Sequence, residues 1–461
     1  MTNKATLNTS LPLPEGLFKG HYQSGITDPR WPKEPPAEFD PKAILDIINE
    51  RIGAGRLREE DADILSLEDV RNSYTSDYSG RISKQKNISI MRANCLLKKR
   101  EDLQNLLKTI TEFASEEIRR IPSVKHLRIL EAIPDSYRVT ISLGIGATLF
   151  TTLDGFDRYG ISHHKPRYLK PMPSFLGDSE ELDPSASASD FIFLISSDHP
   201  YINVAIVRFF AEYLNKRFSK NYGFKGKAVE FLGVEEGFQR KDTREFLGFD
   251  DGIDNISMRE DELERLVYIT QVDNEPDWCI NGTYLVYRKI RERMPDWEKL
   301  TVVNQEAMIG RDKETGKPLS RQVTGPKGKT PVYSDSKDPA DGALNSHIRK
   351  VQPRRNSEDL FGIDDLDRRF LRRPYPFFDG LDESGNSING LQFLAFMKSI
   401  QQQFEHVVNM WQLNPDFPVQ GAGIDALYAN NILETLDGGY YFCPPGLASP
   451  KDYFASGLFR E

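Results

Sequence analysis

Three short segments, far apart in the chain, contain side chains that suit chemistry at a metal-bound cofactor. They are Gly248-Phe-Asp-Asp-Gly252, Ser346-His-Ile-Arg-Lys350 and Leu371-Arg-Arg-Pro-Tyr-Pro376. His347 can bind haem iron, Asp251 can act as an acid or base, and Arg372 is a cation that keeps its charge. Together they could cleave the O–O bond of a peroxide on iron.

Each of these residues also has an ordinary structural interpretation. His347 is one of seven histidines, and a single histidine in a soluble chain is usually structural or solvated. An Asp-Gly pair often forms a turn, and Asp250 competes with Asp251 as the reactive carboxylate. Arg372 lies in a run of four arginines between positions 368 and 373, most of which would be solvated. The residues alone therefore leave these roles open.

Length and composition limit the class of protein. A chain of 461 residues suits two domains or a doubled fold. The formal net charge of −9 argues against nucleic acid or an anionic membrane surface as the main partner. No apolar run approaches the ~20 residues of a transmembrane helix, and no export signal is visible. Three widely spaced cysteines suggest reduced thiols, so we expect a cytoplasmic protein.

Hydrophobic patterns predict mixed helices and strands. Residues 1–40 are rich in proline and look like an extended arm. The expected elements are helices at 101–121 and 202–218, strands at 139–143, 191–195 and 283–287, a charged helix at 288–300, and a long helix with one face from Leu394 to Trp411. Strands and helices without a regular βαβ order favour an α+β fold.

The ordered segments resemble those of the dye-decolorizing peroxidases, in particular the larger bacterial members. The similarity extends over about residues 88–430. Besides the three segments it includes, in order, residues 139–150, 165–173, 281–286, 309–319 and 390–396. So many matches in the same order make the resemblance specific.

The resemblance implies two ferredoxin-like domains whose sheets form an α+β barrel, with haem b in the C-terminal domain. On this basis residues 1–87 would be an N-terminal arm, 88–245 the first ferredoxin-like domain and 246–461 the second, haem-binding domain. The arm could clasp a neighbouring subunit in a homo-oligomer.

The resemblance also gives the site residues their roles. His347 would be the axial iron ligand, Asp251 the carboxylate that shuttles a proton between the peroxide oxygens, and Arg372 the distal cation. Leu391 and Phe393 match the apolar residues that line the haem edge.

Three further residues bear on the same site. Arg349, close to His347 in sequence, could meet the haem propionates together with Lys350 and Arg354. Pro374 departs from the family pattern and could remove a hydrogen bond near Arg372. Glu405 is a possible partner for the second nitrogen of the His347 ring, but its assignment stays open.

The implied activity is that of a haem peroxidase. It would reduce hydrogen peroxide and oxidise small aromatic donors, such as dyes and phenols, in one-electron steps. Two alternatives are a haem-binding carrier or sensor, and a protein that modifies haem itself, as a deferrochelatase does. Asp251 and Arg372 favour the peroxidase, since a carrier needs neither residue.

Overall fold

The structure is a computed structural model. It describes residues 84–114, 139–240, 242–251, 255–256, 260–320, 322–324, 328–333, 342–352, 362–447, 449 and 451–460. The predicted N-terminal arm therefore lies almost entirely outside the described residues.

The first half of the chain contains a βαββαβ unit. Its elements are β1 (Asn87–Cys95), α1 (Arg100–Glu112), β2 (Thr140–Gly146), α2 (Ala147–Phe150), α3 (Pro184–Ser187), β3 (Phe191–Ser197), α4 (Pro200–Tyr222) and β4 (Val229–Phe238). The four strands pair antiparallel in the order β4-β1-β3-β2. The long helices α1 and α4 connect these strands, and α2 and α3 are single turns. This is a ferredoxin-like arrangement.

The second half repeats the pattern with longer connections. Its elements are α5 (Glu260–Leu266), β5 (Thr283–Glu292), α6 (Met294–Trp297), α7 (Val302–Ile309), β6 (Val323–Thr324), β7 (Thr330–Pro331), α8 (His347–Val351), β8 (Leu371–Arg372), β9 (Tyr375–Leu381), β10 (Ser387–Met397), two π-helical segments (Ile400–Glu405 and Val407–Gln412), α9 (Ala426–Ala429) and β11 (Leu433–Cys443). The order β11-β5-β10 is followed by β8 and β9, which both pair with β10.

Short 3₁₀ turns lie at Ser162–His164, Gln271–Asp273, Asp277–Cys279, Asp365–Arg368 and Ser456–Phe459.

The two halves form one curved sheet of nine strands. Strand β2 pairs with β11 and joins the halves. The edge strands β4 and β9 approach each other at the opposite side. There, Glu235 of β4 and Asp379 of β9 both form ion pairs with Lys289 of β5. Strands β4 and β9 also meet at Gly237, where an added Cβ would lie 2.7 Å from the Cβ of Tyr375. The sheet therefore curls into a barrel, which confirms the predicted fold class.

Both faces of the central strands are buried, because helices cover the outer face of the sheet while the inner face fills the barrel, whereas much of β4 is exposed. On β1, Ile88 and Ile90 belong to the inner cluster, whereas Met91 and Ala93 pack on the outer face with α1. Helix α1 presents buried leucine and isoleucine side chains at spacings of three and four, as its sequence predicts.

Several predicted elements are confirmed and two are wrong. The strands at 139–143 and 191–195 and the helix at 202–218 are present. Helix 101–121 is α-helical to Glu112, and its end falls outside the described residues. The helix predicted at 288–300 is wrong, because β5 continues to Glu292 and only Met294–Trp297 is helical. The long helix predicted from Leu394 is wrong at its start, because residues 394–397 end β10, whereas Ile400–Glu405 and Val407–Gln412 are π-helical.

Among the described residues, no helix is both long enough and apolar enough to cross a membrane. The predicted domain boundaries at 87 and 245 stay predictions. The pairing of β2 with β11 places the junction between the two halves inside a continuous sheet.

Candidate active site

A cavity of about 270 Å³ lies between the second-half sheet and the helices that cover it. The sheet contributes Ile290, Leu391 and Phe393 to its wall, and the helical side contributes His347 and Trp411. Most of the remaining wall is aliphatic or aromatic. It consists of Leu247, Phe249, Ile256, Ile309, Ile348, Val351, Phe370, Phe404, Val407, Val408, Leu427, Tyr428 and Leu433.

His347 is the first residue of α8 and lies on the helical side of the cavity. Its Nδ1–H donates to Oδ2 of Asp425 at 2.7 Å. The carboxylate is fully buried and also accepts hydrogen bonds from Nε2 of Gln412 and the amide of Leu427. Asp425 therefore fixes the orientation of the ring. It leaves Nε2 as the nitrogen available to a metal in the cavity.

The open assignment of Glu405 as the partner of His347 is thereby resolved. Glu405 instead forms an ion pair with Lys170 and accepts a hydrogen bond from the hydroxyl of Tyr440. The residue that sequence reasoning missed is Asp425. It lies 78 positions after His347, and no local pattern connects the two.

The loop that carries Asp251 distinguishes it from its neighbour Asp250. Asp250 accepts a hydrogen bond from the hydroxyl of Thr243 at 2.6 Å and forms an ion pair with Lys329 at 3.1 Å. The amide of Asp251 donates to the carbonyl of Thr243, and its half-buried side chain lines the cavity. Both aspartates touch the cavity, but Asp250 is held by a cation of its own.

Arg372 lies on β8, the short strand that pairs with β10. The side chain of Asn255 makes hydrogen bonds to both the carbonyl and the amide of Arg372. The amide nitrogen of the Asn255 side chain donates to the Arg372 carbonyl at 2.7 Å, and the Arg372 amide donates to Oδ1 of Asn255 at 3.1 Å. Because Asn255 follows Asp251 by four positions, this clamp ties the loop of the carboxylate to the strand of the cation.

Lys84, at the start of the described chain, contacts Pro374, the residue predicted to remove a hydrogen bond near Arg372. Its ammonium donates to the Pro374 carbonyl at 2.6 Å and lies 4.9 Å from the centre of the Tyr375 ring. Burial lowers the pKa of Lys84, against the opposing effect of Asp251. A residue of the first half therefore anchors the connection that carries Pro374, a contact that no sequence pattern indicated.

Two buried glutamates line the cavity beside Asp251, and sequence reasoning missed both. Glu245 accepts hydrogen bonds from the amides of Leu247 at 2.6 Å and Phe249 at 3.0 Å. Burial raises its pKa to about 7. Burial, and then the nearby Glu245 carboxyl, raise the pKa of Glu292 well above its usual value. Two such carboxyls cannot both be ionised cheaply in a buried wall.

The structure does not bring Arg349 to the cavity. Its side chain is fully buried, donates to the Gly342 carbonyl at 2.9 Å and lies over the ring of Tyr333. Residues two apart on a helix face different directions, so Arg349 cannot share the face of His347. Its haem contact stays a prediction that this position does not support. The arginines that line the cavity besides Arg372 are Arg288, Arg311, Arg368 and Arg369, whereas Arg354 lies outside the described residues.

The donor set of the cavity fits a haem better than a bare metal ion. In the described part of the chain, no group of three His, Cys, Asp or Glu side chains could hold a metal. A metal bound to the single nitrogen of His347 must therefore bring its other ligands. A porphyrin supplies four nitrogens, its ring suits the apolar walls, and its propionates suit the arginines.

Family models match most of the chain. The description "Dyp-type peroxidase, N-terminal" matches residues 82–222, and "Dyp-type peroxidase, C-terminal" matches residues 242–448. Among curated proteins, Deferrochelatase of Escherichia coli K12 is 27% identical over 328 residues, which is 71% of this chain and 70% of that protein.

Solved structures show the same fold. DtpA from Streptomyces lividans, described as an oxyferrous complex, is 24% identical with a TM-score of 0.65. The likeness covers 82% of this chain and 94% of DtpA. A DyP-type peroxidase from Cellulomonas bogoriensis is 22% identical with a TM-score of 0.62, over 82% of this chain and 94% of the other.

Proposed function

The chain belongs to the Dyp-type peroxidase family, whose members bind haem, and we propose that it reduces hydrogen peroxide on a haem in the cavity described above. Its donors would be small aromatic compounds such as phenols and dyes, each oxidised by one electron. One observation carries the proposal: the free nitrogen of His347 serves the same cavity that Asp251 and Arg372 line.

The side chains that would hold the haem come from several elements of the second half. His347 would bind the iron through Nε2, with Asp425 keeping the ring in place. Leu391 and Phe393 of β10 would cover the porphyrin from the sheet side. Arg311 and Arg368 also line the cavity and would be the cations that meet the propionates. The bound haem supplies the two-electron chemistry that reduces peroxide.

Asp251 and Arg372 would act on the peroxide itself. An ionised Asp251 would accept a proton from hydrogen peroxide and return it to the oxygen that leaves as water. Arg372 cannot lose its charge, so it stabilises negative charge on the bound peroxide without exchanging protons. The Asn255 clamp would hold the Arg372 backbone in place next to the segment that carries Asp251.

A second candidate function is removal of iron from haem, which the name of the Escherichia coli relative suggests. Both functions would use the same cavity. They differ in the fate of the porphyrin, which a peroxidase leaves intact and metallated.

The test is steady-state oxidation of a phenol or an anthraquinone dye by the haem-loaded full-length protein. We expect donor oxidation that depends on hydrogen peroxide, with the amount of metallated haem unchanged after many turnovers. Release of iron and appearance of free porphyrin, without donor oxidation, would instead support the second function. A protein that binds haem and does neither would be a carrier.

Two further properties belong to the proposal. We propose that the protein works in a reducing, cytoplasmic compartment, which is supported by three buried cysteines that form no disulfide. We also propose that it assembles as a homo-oligomer through the N-terminal arm. Sedimentation of the full chain against a chain that begins at residue 84 tests the second property.

A further inference from the structure

The carboxyl pair formed by Glu245 and Glu292 has a different environment from the other acids of the cavity. The two side chains are 8% and 1% exposed. The Leu247 and Phe249 amides donate to Glu245, as an ionised carboxylate requires. Among the described residues, neither oxygen of Glu292 accepts a hydrogen bond of normal geometry, although the Leu247 amide also lies near it. A buried carboxyl without donors is stable only when it carries a proton, which it can then donate to Glu245.

Other charged groups line the cavity together with the pair, among them Asp251, Arg288 and Arg372. Asp251 lies close enough to disfavour ionisation of both carboxyls. Lys313 is the cation that acts on Glu245, and its ammonium donates to Gln305 at 2.6 Å. The arginines on either side of Glu292 are engaged elsewhere, Arg291 with Asp382 and Arg293 with Glu434. The pair therefore retains one proton and one negative charge.

Peroxide turnover needs protons that Asp251 alone does not provide. The balance is H₂O₂ + 2 e⁻ + 2 H⁺ → 2 H₂O, with the electrons from two one-electron donors. Asp251 moves a proton between the two peroxide oxygens, and this transfer adds none. A donor oxidised outside the cavity releases its own proton outside. Two protons per peroxide must therefore reach a largely apolar cavity.

We propose that Glu245 and Glu292 share one proton and pass it to Asp251 during turnover, which makes this carboxyl pair the proton source of the peroxide site. The inference rests on the proposed peroxidase function. In each transfer the O–H bond of Glu292 breaks and the carboxylate of Asp251 gains the proton. The pair then takes another proton from solvent.

The first test asks whether the shared proton exists. Infrared spectra of the haem-loaded full-length protein at neutral pH should contain the absorption of a buried carboxylic acid. Glu292→Gln should abolish this absorption, because glutamine keeps a hydrogen-bond donor towards Glu245 but has no acid proton. The matched control is Glu405→Gln, since Glu405 is also 8% exposed but is paired with Lys170. Its spectrum should retain the absorption.

The second test distinguishes a role of the pair in proton supply from a purely structural role. In Glu292→Gln, the first reaction with peroxide should stay within about twofold of wild type, whereas donor-driven turnover should fall roughly tenfold or more. Turnover should also lose its decline above neutral pH. If this variant does not fold, Glu245→Gln should shift the infrared absorption, because Glu292 then keeps its proton beside an amide instead of a carboxylate, and should give the same split in rates.

Two results would overturn the inference. One is an acid absorption that both substitutions leave unchanged, and the other is a pH profile of turnover that is identical in wild type and Glu292→Gln. A failure of the proposed peroxidase function would give a different set of results. Wild type would then be inert to peroxide while the acid absorption of the pair was still present.

Discussion

His347 depends on a partner that comes from another part of the chain. Asp425 receives the Nδ1–H of the ring and is held in turn by the side chain of Gln412 and the amide of Leu427. A carboxylate partner makes the imidazole a stronger ligand and fixes its tautomer. The ligand strength of His347 is therefore a property of four residues rather than one.

Replacement of His347 by alanine should abolish stoichiometric haem uptake, because no other described histidine lines the cavity. Added imidazole should restore part of the Soret absorption by occupying the space of the ring. His163→Ala is the control, since His163 is exposed on a 3₁₀ turn. An unchanged Soret titration in the His347 variant would show that the ligand is another residue.

Asp251→Asn and Arg372→Leu should each bind haem normally but react slowly with peroxide. Loss of an acid/base group lowers the rate by ~10²–10⁴-fold, and loss of a fixed cation by ~10²–10³-fold. Stopped-flow absorbance measures both effects. Asp250→Asn is the control, because Lys329 and Thr243 already hold that carboxylate. Equal losses in Asp250→Asn and Asp251→Asn would remove the distinction between them.

Strand β5 shows why part of the fold could not be predicted from the sequence. Its charged residues 288–292 suggested a solvated helix, yet they lie within the barrel wall. Arg288 pairs with Asp178, Lys289 with Glu235 and Asp379, and Glu292 meets Glu245. These partners are distant in sequence, so the local charge pattern resembled that of an exposed helix.

Strand β10 was misjudged for a different reason. Leu394 and Phe396 face the inner cluster while Ala395 and Met397 face the outer one. A strand that is buried on both faces shows no alternation of polar and apolar residues. The first-half strands and helix α4 could be predicted, because their apolar runs are bounded by clear breaks. At the site, the three motif residues could be found by resemblance, whereas Asp425, Glu245, Glu292 and Lys84 depend on tertiary contacts.

The pairing of β5 with β10 should tolerate no side chain at Gly390. An added Cβ would lie 1.9 Å from the Ile290 carbonyl, so Gly390→Ala must push these strands apart. We expect a loss of roughly 1–3 kcal/mol in the free energy of unfolding and weaker haem binding, because Ile290 and Leu391 line the cavity. Denaturant unfolding and a haem titration measure the two effects.

Gly146→Ala is the matched control for this experiment. Its added Cβ would also lie 1.9 Å from a carbonyl, that of Ser189, but at the junction of β2 with β11. A similar loss of stability without a change in haem affinity is expected. If both variants weaken haem binding equally, the effect of Gly390 is general destabilisation.

The free energy of unfolding of the whole protein should depend on pH through Glu245 and Glu292. An unfolded glutamate ionises near pH 4.5, whereas burial raises the pKa of Glu245 to about 7. Between these values the folded state binds a proton that the unfolded state has lost, so stability falls as pH rises through this range. Glu245 contributes a fall on the order of 3 kcal/mol up to about pH 7, and Glu292, whose pKa is also raised, adds to the decline.

Unfolding free energies of wild type and Glu292→Gln between pH 4.5 and 8 measure this contribution. The variant should show a smaller decline, because it lacks the Glu292 carboxyl and its amide can donate to an ionised Glu245, while burial of Glu245 remains. Glu405→Gln should keep the wild-type slope. Parallel curves for wild type and Glu292→Gln would mean that the pair carries no extra proton in the folded protein.

The measurement that decides whether this cavity is a peroxidase site is a single-turnover titration of the haem-loaded full-length protein. One equivalent of hydrogen peroxide should change the Soret spectrum at a rate proportional to the peroxide concentration. Two equivalents of a one-electron phenolic donor should then restore the original spectrum, with no loss of haem. A Soret band that does not respond to peroxide, or one that bleaches as iron is released, would contradict the proposed function.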